Sequence, residues 1–212
     1  MSLTPDELLT TTRAVRKRLD FARPVPRELL QECLDVAVQA PTGSNRQDWQ
    51  FLLVSDPARK QAIAERYGRA YDAYRQRPAP EYAPGDVRGE RRERVVDSSR
   101  YLREHMHEAP WLVIPCVRGR LDRDVPVERQ ASVWGSIIPA FWSFMLAARA
   151  RGLGTTLTTL HLAYEQEVAE ILGIPYEDYT QAGMTPVAFY TGEGFRPGVR
   201  VPLEDVVHWE SW

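Results

Sequence analysis

Apolar positions along the chain recur at helical spacing in some stretches and gather in short runs in others, which predicts a mixture of helices and short strands. Thr4-Pro5-Asp6-Glu7 has the form of a capping box with proline in the first turn, so a short helix should run to about Thr12. Residues 12–26 have no clean period and read as loop. Pro26 opens a second helix in which Leu29, Leu30, Cys33, Leu34, Ala37 and Val38 share one face. It should stop at Ala40, because the residue before Pro41 is pushed out of helical geometry. Phe51-Leu52-Leu53-Val54, bounded by Asp56-Pro57, suits a buried strand, and a helix over 58–74 follows. Residues 75–89, with Pro78, Pro80, Pro84, Gly85 and Gly89, read as a loop or lid within one domain.

A charged helix over 90–105 then leads to a second buried strand, Trp111-Leu112-Val113-Ile114. Residues 127–151 read as a long helix, apolar nearly all round from Val133 to Ala148, with Pro139 marking a kink and Gly152 the end. A helix without a polar face must be buried on every side, so it is either the central helix or part of a subunit interface. Residues 155–159 are β-prone, 165–172 helical with Gly173 just past the end, and 186–190 form a third strand. The order defines an α+β chain with no internal repeat, expected to be one domain over 1–212.

Composition narrows the function classes. The chain is 43% hydrophobic with six tryptophans, which excludes a mainly disordered protein. A net charge of −2 argues against a general nucleic-acid or acidic-membrane binder. Of the 27 cationic side chains only Lys17 and Lys60 are lysines, which leaves 25 arginines. Cys33 and Cys116 fit neither a disulfide framework nor a zinc pattern, which suggests two buried thiols in a reducing cytoplasm. The N-terminal residues lack a signal-peptide pattern, and the apolar stretch 133–148 falls short of the ~18–20 residues of a membrane span, so a soluble protein is expected.

Several chemistries lack their residues. Gly152-Leu153-Gly154 and Gly192-Glu193-Gly194 both fail the strand–turn–helix context of a dinucleotide fingerprint. There is no Gly-x-Ser-x-Gly elbow, since Ser136 lies in mid-helix. His105 and His107 end a helix, where they suit its dipole better than a metal. His161, after the threonine run, reads either as an acid/base group or as a structural histidine. Three features remain. Arg13 and Arg16 lie within one turn and read either as a solvated basic loop or as an anion-holding pair. The Pro41–Trp49 segment carries Asn45 and Gln47, which can read the edge of a heterocycle or the hydroxyls of a sugar alcohol. The last segment, 194–212, carries Arg196, Arg200, Trp209 and Trp212, and a tail so apolar should dock on something.

With these pieces in register from about residue 5 to the end, the chain resembles the FMN-dependent nitroreductase family. The resemblance rests on the Arg13–Arg16 turn, the Asn-x-Gln-x-Trp loop, the Gly152-Leu153-Gly154-Thr155 step and the closing Arg200-Val201-Pro202-Leu203 segment. It implies a three-layer α+β fold, a central antiparallel or mixed sheet flanked by helices, in a homodimer with FMN at the interface. By that resemblance Arg13, Arg16 and Arg200 hold the FMN phosphate, with a backbone N–H at Ala14. Pro41, Thr42 and Gly43 approach from the other subunit, Asn45 and Gln47 line the site, and Thr158, Thr159 and Leu160 run beside the flavin ring. Thr12 and Ala14 replace the first Arg and the Ser of the family's Arg-Arg-Ser-x-Arg, Thr42 stands for its usual Ser, and Asp48 for its usual Pro. The implied activity is ping-pong hydride transfer from NAD(P)H through FMN to a nitroaromatic, quinone or similar acceptor. Alternatives are dehalogenation or dehydrogenation of a small substrate on the same fold, or a flavin-binding sensor or carrier without turnover.

Overall fold

The structure, a computed structural model, describes residues 3–121 and 124–212; Met1 and Ser2, where the expected domain begins, lie outside them. Its elements are α1 (Pro5–Thr11), β1 (Leu19–Asp20), α2 (Arg27–Ala37), β2 (Trp49–Val54), α3 (Pro57–Arg75), α4 (Val87–Glu90), α5 (Arg92–His105), β3 (Trp111–Arg118), α6 (Val127–Ala150), β4 (Leu153–Thr155), α7 (Glu165–Leu172), β5 (Tyr179–Gln181) and β6 (Thr185–Tyr190). The capping box forms: Thr4 N donates to Glu7 Oε2 at 2.8 Å, and Glu7 N donates to Thr4 Oγ1 at 3.2 Å. Asp56 caps α3 by accepting from Arg59 N at 2.8 Å, and Gly173 closes α7 at a φ of 69°.

The strands make one six-stranded sheet in the order β1-β6-β3-β2, with β4 paired to β6 and β5 to β3, every pair antiparallel. Alternation along β3 divides the core. Leu112, Ile114 and Cys116 pack with Ile63, Tyr67 and Leu102, on the side of α3 and α5, whereas Val113 packs with Leu30, Phe141 and Phe144, on the side of α2 and α6. β6 repeats the split, Ala188 to the first side and Val187 to the second. A strand covered on both faces reads as an unbroken apolar run, which is why β3 is continuously buried from Leu112 to Val117. The expected α+β three-layer arrangement is therefore present.

Some sequence expectations need correction. β1 and β5 fall in stretches that carry no strand pattern, at two and three residues. The β-prone threonine run is displaced: β4 ends at Thr155, and beyond it only Thr158 bridges to Met184. A short helix, α4, begins inside the segment read as loop. α6 runs through Pro139 as one element of 24 residues, so by length and composition it is long and apolar enough to cross a membrane. In this fold it packs against α2, β3 and β4. Of the C-terminal tail the start docks, with Phe195 packed against the core beside Tyr190, whereas Leu203, Val206, Trp209 and Trp212 are all exposed.

Candidate functional site

The Gly-Leu-Gly-Thr step fixes where the arginine turn sits. Gly152 ends α6 at a φ of 77°, a conformation that favours glycine. Gly154 is required by proximity, since a Cβ there would meet Leu19 Cδ2 at 2.9 Å and Val15 Cγ1 at 3.0 Å. Because β4 lacks side-chain bulk at that point, the 13–19 segment lies against it, with Ala14 bridged to Thr155 and Val15 N donating to Thr155 O at 2.8 Å. Arg18 then anchors the start of the tail, donating to the carbonyls of Thr191, Glu193 and Gly194 and stacking over Phe195 at 4.2 Å. These contacts bring Arg200 back to Arg13. A Cβ at Gly198 would overlap both guanidinium groups.

Arg13 Nη1 is buried and has no hydrogen-bond partner among the described residues. Burial and the positive fields of Arg200, Arg91 and Arg94 hold the Arg13 guanidinium below its ordinary pKa. Like charges gathered in this way are costly unless an anion offsets them. Arg91 and Arg94 come from the start of α5 and its approach, and no sequence motif singles them out.

Arg16 lines a cavity of about 600 Å³ that also takes in Thr156, Thr158 and Leu160. Burial lowers the Arg16 pKa, and the nearby Tyr67 and Tyr71 of α3 oppose that effect. Tyr67 in turn has its pKa raised by burial. Thr158 pairs with Met184 through two backbone hydrogen bonds of 2.9 and 2.8 Å, while Thr159 and Leu160 begin a tight turn. The 75–89 segment, undefined by motif, closes one side of this cavity with Arg75, Arg77, Pro80 and Tyr82.

Pro41, Thr42, Gly43, Asn45 and Gln47 are not brought to that cavity. Thr42 and Gly43 line a separate one of about 80 Å³, against Ser132 and Ser136 of α6. Gly43 N donates to Ser136 Oγ at 3.0 Å, and Gln47 Nε2 to Asn45 Oδ1 at 2.9 Å. Ser44, Asn45 and Gln47 adopt φ values of 53°, 54° and 51°, left-handed backbone in three of four consecutive non-glycine residues. Such strain clusters at functional sites. Asn45 and Gln47 are both exposed.

The remaining candidates have structural surroundings. His105 Nδ1 lies 2.6 Å from Glu108 Oε1, and no group of three or more metal-ligating side chains gathers among the described residues. His161 is fully buried and outside the cavity lining. Cys33 and Cys116 are buried free thiols, and burial pushes them up to about 11 and about 12.

A three-layer α+β fold in which arginines converge on a buried guanidinium nitrogen, partnerless among the described residues, has the chemistry of an anion-binding site. The sequence profile of the Nitroreductase family matches residues 9–189, and the chain belongs to that family. It is 29% identical over 220 residues to an NADH dehydrogenase of Thermus thermophilus, covering 95% of this chain and 97% of that one. Among solved structures it is similar to the FMN and NADPH-dependent nitroreductase NfnB from Sphigopyxis sp. strain HMH. There the identity is 23%, the TM-score 0.70, and the coverage 99% of this chain and 100% of that one. Oxidised iodotyrosine deiodinase, bound to FMN and 3-iodo-L-tyrosine, is similar at 23% identity and a TM-score of 0.71, covering 98% of both chains.

Proposed function

We propose that this chain is an FMN-dependent oxidoreductase that passes a hydride from NAD(P)H through bound FMN to a nitroaromatic, quinone or similar acceptor, by a ping-pong mechanism. The observation that carries the reading is the meeting of Arg13 and Arg200 at a buried Nη1 without a partner. A phosphate there would supply the missing acceptor oxygens and offset the clustered charge. Arg13, Arg16 and Arg200 hold that phosphate in this reading, and the exposed Ala14 presents its backbone beside them. The names of the Thermus relative and the Sphigopyxis neighbour support a nicotinamide donor and FMN.

FMN, when bound, supplies two-electron carrier chemistry that no side chain here offers. The chain's own residues bind and orient. The bridge between Thr158 and Met184 fixes the backbone from which Thr159 and Leu160 face the flavin site. Arg16, beside Tyr67 and Tyr71, forms one wall of that site. For a nitroarene, one NAD(P)H and one proton yield the nitroso compound, water and NAD(P)+. The Pro41–Gln47 loop belongs to the same kind of site in a second copy, so the working unit is a homodimer. Separation of that loop from the arginines of its own chain, and the exposed apolar tail, support this. We take the chain as one domain over 1–212 with 75–89 as a loop or lid, working in the cytoplasm, which its two unpaired cysteines suit.

The purified protein should carry flavin absorbance that NADPH or NADH bleaches anaerobically. A colourless protein that takes up no FMN on titration would sink the reading; a yellow one that neither donor bleaches would be a carrier or sensor. Arg16→Ala and Arg200→Ala should each weaken FMN binding by about 1.5–3 kcal/mol, the range for hydrogen bonds to charged groups. The likeness to iodotyrosine deiodinase favours one second reading, reductive dehalogenation, which iodide release from 3-iodo-L-tyrosine would reveal.

A further inference from the structure

The large cavity has a one-sided charge. Beyond Arg16, which the proposed function gives to the phosphate, its wall carries Arg75, Arg77 and Arg92, and no aspartate or glutamate lines it. Among the described residues these three make no ion pair. The aspartates of the surrounding elements are already engaged: Asp72 with Arg103, Asp86 with Arg88, and Asp97 with Lys17. Arg88, which also faces the cavity, is therefore neutralised in place, holding Asp86 through Nε at 3.0 Å and Nη2 at 2.7 Å.

The rest of the wall is aromatic. Tyr67, Tyr71 and Tyr74 descend one side of α3, and Tyr82 faces them from the 76–86 segment. Tyr71 OH is tied to Ser99 Oγ at 3.1 Å, and Tyr82 lies under Arg88 at 5.2 Å, so both rings are held. Phenol rings stack on planar arenes. Free guanidinium groups at the mouth of a low-dielectric cleft raise the local concentration of anions.

We propose that this cavity takes a planar aromatic ligand carrying an anionic group, so that the electron acceptor is an aryl anion such as an aromatic carboxylate. This rests on the proposed flavin reading, which takes the part of the cavity lined by Arg16, Thr158 and Leu160 and leaves the part lined by Tyr74, Arg77, Tyr82 and Arg92 to the ligand. Tyr74 and Tyr82 hold the ring, and Arg77 and Arg92 hold the anion. A phosphorylated nicotinamide donor has the same chemistry, an aromatic ring and an anion, so the test must separate the two sources.

The FMN-loaded protein and its Arg77→Gln/Arg92→Gln variant are compared with 4-nitrobenzoate and its neutral counterpart 4-nitrobenzamide. Donor and acceptor half-reactions are followed separately under anaerobic conditions. The variant should lose about tenfold or more of kcat/KM for the benzoate relative to the benzamide, with FMN content and the donor half-reaction unchanged. That benzoate advantage should also shrink as salt is raised, because the arginines at the mouth are screened. An unchanged ratio overturns the proposal. So does a loss confined to the NADPH half-reaction, which would assign the arginines to the donor's phosphate. Calorimetric binding of the two nitroarenes is measured on the same preparations without turnover. If the protein takes up no FMN, a tenfold preference for the benzoate that the variant abolishes still supports the cavity assignment. Equal binding of the two compounds removes it.

Discussion

His161 has no solvent contact, and neither ring nitrogen makes a well-formed hydrogen bond among the described residues. Burial holds its pKa down to about 4, with the Gln181 side chain opposing. In the unfolded chain an ordinary histidine titrates near 6.5. Between those values the unfolded chain binds a proton that the folded chain does not, so stability is full above about pH 6.5 and falls as pH drops toward 4. The whole window is worth about 3 kcal/mol, and about 2 kcal/mol of it is lost by pH 5. Urea unfolding at pH 7 and pH 5 should show that difference in the native protein, and His161→Leu should remove it. The same loss in both proteins would mean that other groups carry it. A histidine that must stay neutral and lies outside the cavity is a poor proton donor, so of the two readings open in the sequence the buried structural one fits. Lys60, one of the two lysines, is explained at this scale too: it is buried, with Nζ donating to Ala109 O at 2.5 Å ahead of β3.

At the scale of elements, the Pro41–Trp49 loop stands out because its backbone is strained where its sequence holds no glycine. Left-handed geometry costs a residue with a Cβ about 1–2 kcal/mol, less for asparagine. Ser44→Gly should therefore be neutral to stabilising by up to about 1 kcal/mol in denaturant unfolding, whereas Ser44→Val, β-branched, should destabilise by more than that. Equal stability of the two variants would contradict the left-handed assignment. This loop also marks what could be read from sequence and what could not. Its position between α2 and β2 follows from Pro41 and the apolar run after it, but its left-handed φ values leave no mark in the residue types Ser44, Asn45 and Gln47. β3 was legible because burial on both faces leaves an unbroken apolar run, α6 because its sequence is apolar nearly all round although Trp142 stays exposed, and α3 because Asp56-Pro57 marks its start. β1 and β5 were not, since strands of two and three residues carry too few positions to show a period. The arginine turn and the glycine step were legible as motifs. Arg91, Arg94 and the tyrosine wall were not, because α3 and α5 deliver them only once the helices have packed on the sheet.

For the whole molecule, the decisive feature is apolar surface that this chain leaves uncovered. Leu203 is 71% exposed, Trp209 87% and Trp212 101%, and Val127 and Trp142 of α6 are exposed as well. Single exposed apolar residues are ordinary, but a tail that ends in two bare tryptophans is not. Burying a large apolar side chain is worth about 1.5–3 kcal/mol. Several of them laid on a second copy would therefore contribute strongly to a dimer even after the entropy of ordering the tail is set against it. The same tail carries Arg200 to Arg13, so dimer formation and phosphate binding should be coupled: the copy that holds the tail down also holds the arginine in place. Sedimentation of the full chain should give twice its 24.3 kDa mass. Removing 203–212 should weaken the dimer at least tenfold and lower FMN retention in parallel, although Arg200 itself is kept. A full chain that sediments as a stable monomer with FMN bound would break the link, and would leave the exposed tail without a function in the fold.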